Sequence, residues 1–198
     1  MKKLENLGTS VQNFFIVMMT YVLCHGVTAI VFTPIQEHFI SEVTVFASLM
    51  YLPHGVRVLA TWLLGWKAIA PLFLGAYTSE ILFTPAYVSV ITDPVIFQSI
   101  SVGAVSAFAG FAVVKLFGRE IKVSGRPKMD WKWLLYVGAV ASILNSVGQS
   151  IVFSGIVVPQ DAIAIFAIYA AGDLIGLLVT MVALLFFFRW IRQFSEAY

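Results

Sequence analysis

The sequence has few charged residues, a single cysteine and very little polar chain. Only 11% of its 198 residues are charged and 60% are hydrophobic, whereas a soluble domain is about 25% charged. A soluble monomer of this length cannot bury so many apolar side chains, so the composition argues against a soluble enzyme or a disordered tail. The formal net charge of +2 is too small to indicate a nucleic acid as partner. Because Cys24 is the only cysteine, an internal disulfide and a cysteine-based zinc cluster are excluded.

Motifs of catalysis and of metal binding are also absent from the sequence. No phosphate-binding loop, dinucleotide fingerprint or nucleophile elbow occurs. His25 and His54 belong to different apolar stretches, and neither forms an H-x-x-x-H or H-E-x-x-H pattern. We therefore predict that the protein is not an enzyme and has no catalytic residues and no metal site, and no cofactor is indicated.

Six apolar stretches are long enough to cross a bilayer. A transmembrane helix needs about 20 mainly apolar residues, and the stretches that meet this condition are 11–33, 43–66, 68–92, 94–117, 131–153 and 162–188. The first stretch has no cleavage site behind it, so we expect a retained helix rather than a signal peptide. The sequence predicts an all-α, polytopic membrane protein, a six-transmembrane-helix bundle formed by one integral membrane domain over residues 1–198.

The distribution of basic residues predicts the orientation of this bundle. If the N-terminus is cytoplasmic, every lysine and arginine except Arg57 lies on or near the cytoplasmic side, many of them in the loop 118–130. The outer loops then contain no basic residue, and their acidic residues are Glu37, Glu42, Asp93 and Asp161. Cytoplasmic loops are typically rich in lysine and arginine. We therefore expect both termini in the cytoplasm.

Small residues recur at four-residue spacing in three of the predicted helices. The fifth helix carries Gly138, Ser142, Ser146 and Ser150, the fourth carries Ser99, Gly103 and Ala107, and the sixth carries Gly172 and Gly176. Such stripes let helix backbones approach closely in a membrane. Two interpretations stay open at this point, namely packing within one chain and a seam between copies in a homo-oligomer.

Ionisable side chains inside the predicted spans are the main functional candidates. Arg57, Glu80 and Asp173 all lie near mid-depth at a rise of about 1.5 Å per residue. A lone charge there costs roughly 2.5–3.5 kcal/mol, so we expect Arg57 to pair with Glu80 or Asp173. Asn145 and Gln149 lie one turn apart on the fifth helix. Either a structural salt-bridge network or a ligand or proton site accounts for this set.

The second apolar stretch contains a break signal, Pro53-His54-Gly55, that is followed closely by Arg57. Proline removes a helical hydrogen bond and glycine loosens the backbone. Broken helices in membranes expose N–H groups, which several transporters use to bind anions. We therefore predict a broken second helix with a pocket for a carboxylate or a similar anion, unless Glu80 or Asp173 fills it or the break is only a kink. The candidate ligand-binding residues are His54, Gly55, Arg57, Glu80, Asn145, Gln149 and Asp173.

Two groups of residues resemble the MASE1 family of integral membrane sensor domains. The first group is PHGV at 53–56, LLG at 63–65 and PLFLG at 71–75, and the second is GDLIGLL at 172–178. The resemblance implies a sensory membrane domain, located in the inner membrane of a bacterium as a multi-pass protein. Only about ten residues follow the last predicted span, so we expect the signal to leave through a separate protein.

The sequence therefore leaves three alternative functions open. The first is a sensory or ligand-binding module that acts through a partner protein docked on the loop 118–130. The second is a small-molecule transporter or the substrate-binding subunit of one, and the third is an assembly subunit of a larger membrane complex. In each case the expected partners include the lipid bilayer and another protein or a second copy, but no nucleic acid.

Overall fold

The described part of the protein is almost entirely helical. In a computed structural model, the described residues are 2–39, 48–84, 91–117, 131–153 and 162–195, and no strand occurs among them. Five of the helical stretches are long and apolar enough to cross a membrane, namely Gly8–His38, Leu52–Phe83, Pro94–Leu116, Trp131–Val152 and Phe166–Gln193. The predicted all-α class is thus confirmed for the described residues, and five of their helices are able to span a membrane by length and composition. The predicted count of six spanning helices is not confirmed.

The first stretch continues beyond its predicted end at residue 33. It consists of α1 (Lys2–Val27), a π-helical turn (Thr28–Phe32) and α2 (Thr33–Phe39). In the π-helical turn the N–H of Thr33 donates to the carbonyl of Thr28, five residues earlier. Proline clashes with the carbonyl four residues before it in a regular helix. The wider turn directly before Pro34 avoids this clash, so the helix passes the proline instead of ending there.

The helical stretch Leu52–Phe83 contains two helices rather than one. It consists of α3 (Leu52–Leu64), a 3₁₀ turn (Gly65–Ala68) and α4 (Ile69–Phe83). Gly65 has a φ of 61°, in the region that glycine adopts at little cost. A Cβ atom at this position would meet nothing within 4 Å. The backbone conformation, not packing, therefore requires glycine at the junction of α3 and α4.

Contacts with α1 show that the chain changes direction at this junction. On α3, Arg57 contacts Tyr21 of α1, and Leu52 contacts Thr28 in the π-helical turn that follows α1. On α4, Gly75 packs against the same Tyr21, and Phe83 packs against Gly26. As the residue number increases along the first helical stretch, the numbers of the residues that it contacts decrease on α3 and increase on α4. Thus α3 is antiparallel to α1, and α4 is parallel to it.

The predicted break inside the second helix is not confirmed. We expected a helix over 43–66 interrupted at Pro53-His54-Gly55, but α3 begins at Leu52 and is unbroken to Leu64. Pro53 lies in the first turn, where its missing N–H has no helical partner to lose. Residues 48–51 are non-helical and precede the helix, while 43–47 lie outside the described residues.

The remaining three helices follow the predicted spans closely at their starts. They are α5 (Pro94–Leu116), α6 (Trp131–Val152) and α7 (Ala162–Ser195). Asp93 caps α5, because its side chain accepts a hydrogen bond from the N–H of Val95. α7 extends beyond its predicted end at residue 188. Close contacts such as Gly110 on Ala141 and Gly148 on Val102 bring α5 and α6 together.

The central element of the bundle is α3. Every residue from Leu52 to Thr61 is buried, and α3 packs against α1, α5, α6 and α7. One apolar cluster lies between α1, α3, α4 and α5, and a second lies between α3, α5, α6 and α7. The outer faces carry large exposed apolar side chains such as Leu23, Ile30 and Leu185, as expected for a lipid-facing surface.

Candidate functional site

Arg57 is held by two tyrosines instead of a carboxylate. Its side chain is only 5% exposed. Its Nη2 donates to the hydroxyl of Tyr21 at 2.9 Å and lies 3.4 Å from the hydroxyl of Tyr51. The guanidinium carbon is 5.6 Å from the ring centroid of Tyr21 and 5.2 Å from that of Tyr51, within the range of cation–π attraction. The two hydroxyls are 2.9 Å apart and also hydrogen-bonded.

A glycine on α5 makes room for this guanidinium. A Cβ atom on Gly103 would collide with Nη2 of Arg57. The Nε and Nη1 atoms of Arg57 are buried and have no hydrogen-bond partner among the described residues. Arginine carries five N–H donors in a planar fork that matches a carboxylate. Nε and Nη1 lie on different edges of the guanidinium, and both edges that bind a carboxylate through two hydrogen bonds include Nη2, which the tyrosines occupy. Each of the two unpartnered atoms therefore leaves capacity for a single hydrogen bond to an acceptor.

A second polar cluster joins α3, α6 and α7. His54 and Asp173 are 0% and 1% exposed, and His54 Nδ1 lies 3.4 Å from Asp173 Oδ2. His54 Nε2 is 3.1 Å from the carbonyl of Gly138 on α6. The side-chain amide of Asn145 donates to Asp173 Oδ2 at 3.1 Å. Asp173 Oδ1 and His54 Nδ1 are buried without a hydrogen-bond partner among the described residues.

This second cluster continues from α6 to α5 through Gln149. The amide nitrogen of Gln149 is 3.5 Å from Asn145 Oδ1 and donates to the backbone carbonyl of Ser99 at 3.1 Å. The hydroxyl of Ser99 donates in turn to Gln149 Oε1 at 2.9 Å. A chain of polar contacts therefore runs from α3 to α5 across the interior of the bundle.

The non-helical segment 48–51 lies beside the middle of α7, within an apolar stretch. The N–H of Tyr51 donates to the carbonyl of Gly172 at 3.0 Å. A Cβ atom on Gly172 would collide with the carbonyl of Ser48, and one on Gly176 with the carbonyl of Tyr51. The two glycines are therefore used for packing within the chain, which is the first of the two interpretations of this stripe.

Side chains from the π-helical turn, α2 and α7 complete the hydrogen bonds of this segment and of the start of α3. The amide oxygen of Gln36 accepts from the N–H of Leu49 at 2.6 Å. The hydroxyl of Thr28 accepts from the N–H of Leu52 at 3.3 Å, and that of Thr180 donates to the Leu52 carbonyl at 3.2 Å. Irregular backbone inside a membrane needs such internal partners.

The first N–H groups of α3 are therefore occupied by the protein itself. The N–H of Leu52 bonds to Thr28, Pro53 has none, and that of His54 donates to the Tyr51 carbonyl at 3.2 Å. We expected this helix end to offer free N–H groups to an anion. Since neighbouring groups bind them, the remaining capacity for an anion in this region lies on Arg57.

The structure brings together four of the seven predicted site residues. His54, Asn145, Gln149 and Asp173 form one connected cluster. Gly55 has a packing role, because a Cβ atom there would press on the side chain of Thr180.

The expected pairing of Arg57 with Glu80 or Asp173 is wrong for the described residues. Arg57 contacts the two tyrosines, and Asp173 instead pairs with His54. Glu80 is partly exposed on α4, and Asp173 faces α6, whereas Arg57 extends toward α1. Position along the helices predicts these three charges at the same depth in the membrane. Their side chains nevertheless lie on helix faces that point in different directions.

Tyr21 and Tyr51 are the functional candidates that the sequence reading missed. Their signal in the sequence is a tyrosine hydroxyl within an apolar stretch, close in depth to a buried arginine. Aromatic residues are common in membrane helices, so this signal is weak. Among the described residues, no group of three or more histidine, cysteine, aspartate or glutamate side chains is placed to hold a metal ion.

Comparison with known proteins gave no relative of this chain. No family model, no curated protein and no solved structure matches it. The function is therefore argued from the two buried clusters, together with the resemblance carried by residues 53–56, 63–65, 71–75 and 172–178.

Proposed function

We propose that this chain is a multi-pass inner-membrane protein that crosses the bilayer six times, with both termini in the cytoplasm. The reversal of the chain at Gly65 supports separate crossings by α3 and α4. Lys67 and Trp66 at this turn are exposed, as is typical of a cytoplasmic interface. A single crossing by Leu52–Phe83 would instead place Lys67 inside the hydrocarbon layer, where its charge is costly.

Labelling of single cysteines with an impermeant maleimide tests this topology. In a Cys24→Ser background, Glu37→Cys should react in intact cells, whereas Lys67→Cys and Gln193→Cys should react only in inside-out vesicles. All three positions are exposed on the protein surface. Protection of Lys67→Cys from both sides, or labelling of Gln193→Cys from outside, would establish five crossings instead.

The function that the site supports best is binding of a small anionic molecule at Arg57, within a sensory module. The observation that carries this proposal is the buried guanidinium whose Nε and Nη1 have no hydrogen-bond partner among the described residues. An oxygen of a carboxylate or of a similar anion accepts a hydrogen bond from either atom, and hydrogen bonds between charged groups are strong. The resemblance to MASE1 sensor domains supports sensing, with the output passing through a separate protein.

Thermal unfolding of the full chain in nanodiscs tests anion binding directly. The probes are acetate, benzoate and succinate, each added at increasing concentration. A ligand that binds only the folded state raises the unfolding temperature. We expect at least one probe to stabilise the wild type and the control Lys67→Gln, which removes an exposed cation, but not Arg57→Gln.

Two outcomes would contradict anion binding at Arg57. Equal stabilisation of Arg57→Gln would place the anion elsewhere, and no stabilisation by any probe would favour a structural role for the arginine. If Arg57→Gln does not fold, Gly103→Ala replaces it, because the added methyl group collides with Nη2 and displaces the guanidinium. The structural reading further requires that Arg57→Gln lowers stability without changing any affinity.

Transport is the second candidate function, and the segment 48–51 favours it. This segment is non-helical and lies against Gly172 and Gly176, inside the span Phe166–Gln193. Transporters use such interruptions at mid-membrane to build substrate sites. Accumulation of radiolabelled probe in proteoliposomes, abolished by Arg57→Gln, would support transport over sensing. Binding without accumulation would favour the sensory module.

A further inference from the structure

The contact of His54 with Gly138 determines which ring nitrogen carries a hydrogen. A backbone carbonyl only accepts hydrogen bonds. At 3.1 Å from the Gly138 carbonyl, Nε2 must therefore be the N–H. In neutral histidine the other nitrogen, Nδ1, then carries a lone pair and no hydrogen. This nitrogen is the one that faces Asp173.

The contact between His54 and Asp173 is unfavourable unless one of the two facing atoms, Nδ1 or Oδ2, carries a proton. Nδ1 is 3.4 Å from Oδ2, and both side chains are almost completely buried. An ionised Asp173 facing a neutral His54 would place two acceptors against each other. The carboxylate would then keep one hydrogen bond, from Asn145, while Oδ1 has none. An ionised carboxylate with so few donors is very costly away from water.

We propose that His54 and Asp173 together bind one exchangeable proton in the interior of the membrane domain. The proton lies either on Nδ1, as an imidazolium beside a carboxylate, or on the carboxyl group of Asp173. Both forms turn the facing acceptors into a donor and an acceptor, and both remove the lone-pair conflict. This inference goes beyond the proposed anion site, because it requires neither Arg57 nor an anion.

The charged and titratable groups around the pair lie on α3, on α7 and in the segment 48–51. On α3, the positive charge of Arg57 acts on His54. On α7, Tyr169 interacts electrostatically with Asp173. Tyr51 precedes α3 and also interacts with Asp173. On α6, Asn145 is polar but does not titrate, so α6 adds no charge. Asp173 is the only carboxylate that forms an ion pair with His54 among the described residues.

Nuclear magnetic resonance of the full chain in nanodiscs tests this proposal. Histidine is labelled with ¹⁵N in the ring, and the spectra of His25→Asn and His38→Asn assign the His54 signals by elimination. Between pH 6 and pH 7.5 we expect one of two results. Either both ring nitrogens of His54 carry hydrogen, or only Nε2 does and the infrared spectrum shows a protonated carboxyl group that shifts in D₂O. Both results support one bound proton.

Three results would overturn the proposal. A His54 protonated only on Nε2, together with an ionised Asp173, would show that no proton is held. A hydrogen on Nδ1 alone would contradict the contact with Gly138. Separate titration of His54 and Asp173 as pH rises would show two independent groups, whereas a shared proton must leave in one coupled step.

The variant Asp173→Asn supplies a further test. The amide keeps the size of the side chain and can donate to Nδ1, so His54 no longer needs a second hydrogen. We expect the Nδ1–H signal or the carboxyl band to be lost, whereas Glu80→Gln on α4 should retain it. Retention of the signal in Asp173→Asn would assign the proton to another group. Because the wild-type spectra alone decide the proposal, it stays falsifiable if Asp173→Asn does not fold.

Discussion

Arg57 shows how a buried cation is stabilised without an ion pair among the described residues. Inserting a lone arginine costs about 2.5–3.5 kcal/mol on insertion scales. A hydrogen bond to a charged group contributes about 1.5–3 kcal/mol, and each cation–π contact contributes about 0.5–2 kcal/mol. One bond to Tyr21 and two ring faces are therefore of the same size as the cost. A carboxylate partner is not required on these magnitudes.

The two tyrosine hydroxyls should differ in their contribution. Tyr21→Phe removes the 2.9 Å bond to Arg57 and the bond to Tyr51, whereas Tyr51→Phe removes the second bond and a long 3.4 Å contact. Both changes keep the aromatic face. We expect Tyr21→Phe to lower the free energy of unfolding by about 1.5–3 kcal/mol and Tyr51→Phe by about 0.5–1.5 kcal/mol. Reversible unfolding in mixed detergent measures both values.

Tyr77→Phe is a suitable control for this comparison, because Tyr77 is only partly buried on α4 and stacks on Phe73. The loss of the Tyr77 hydroxyl should change the free energy of unfolding little. Equal destabilisation by Tyr21→Phe and Tyr51→Phe would contradict the geometry described for the guanidinium. A larger effect for Tyr51→Phe would show that its hydroxyl, not that of Tyr21, is the main acceptor.

The sequence predicts which buried residues of the site need a partner, but not which partner each of them has. The charge cost in a membrane identified Arg57 and Asp173 as candidates and predicted that both need partners. Depth along a helix follows from residue number, but the direction of a side chain around the bundle depends on how all helices pack. For this reason the sequence predicts a set of polar residues at one depth that includes His54, Asn145 and Asp173, but it predicts neither which of them meet nor the choice of Tyr21 over Glu80.

At the scale of the element, the start of α3 depends on its neighbours. The backbone of 48–51 runs directly against α7, and only glycine at 172 and 176 leaves room for it. A methyl group at either position would meet backbone carbonyls, which cannot move aside like a flexible side chain. Overpacking of this kind costs about 1–3 kcal/mol, occasionally more.

Glycine substitutions should therefore distinguish this contact from ordinary helix positions. We expect Gly172→Ala and Gly176→Ala each to lower the free energy of unfolding by more than about 2 kcal/mol. Gly8→Ala is the matched control, because a Cβ atom there meets nothing within 4 Å and alanine favours a helix by about 1 kcal/mol. Unchanged stability of Gly172→Ala, measured by thermal unfolding in nanodiscs, would contradict the packing of α7 on this segment.

Apolar length predicted the elements unevenly. The sequence predicts α5 and α6 within one residue because charge and turn residues bound these stretches sharply, as at Asp93 and Asp130. α1 was predicted too short because Pro34 was read as an end. The start of α3 was also misplaced, since residues 48–51 are apolar enough to continue a helix. Their non-helical conformation depends on hydrogen bonds to Thr28 and Gln36, which no local pattern reports.

At the scale of the whole molecule, α3 connects the two polar clusters. Arg57 reaches α1 and α5, while His54 reaches α6 and α7, and the two residues are three apart on one buried helix. The two clusters are therefore joined by less than one turn of a single helix. This arrangement makes the protonation of the pair a property that affects the stability of the entire bundle.

The pH dependence of stability should have a definite sign. In the unfolded chain histidine loses its proton near pH 6.5, whereas the folded wild type retains the proton of the pair. Above this pH the folded state binds one proton more, so stability falls by about 1.4 kcal/mol per pH unit. Below it both states bind one proton and the pair adds no slope.

Asp173→Asn should reverse this behaviour, because its His54 is neutral in the folded state. The unfolded variant then binds one proton more below pH 6.5, so stability rises with pH and becomes level above it. Thermal unfolding of both proteins between pH 5 and pH 8.5 measures the difference, in which contributions from His25 and His38 cancel. Parallel curves would show that the pair holds no proton.

Proton and anion should also be coupled through their charges. If benzoate or another probe binds at Arg57, a proton on the His54–Asp173 pair adds positive charge on the same helix and strengthens binding. Coupling between sites is typically about 1–3 kcal/mol, so affinity should fall at least about fivefold when high pH removes the proton. Titration of the probe at pH 6 and at a pH where the His54 signal has changed measures this ratio. Asp173→Asn should show no such ratio, because its pair carries no removable proton. The same pH dependence in the variant would place the responsible group elsewhere, whereas pH-independent binding to the wild type would mean that the two clusters act separately.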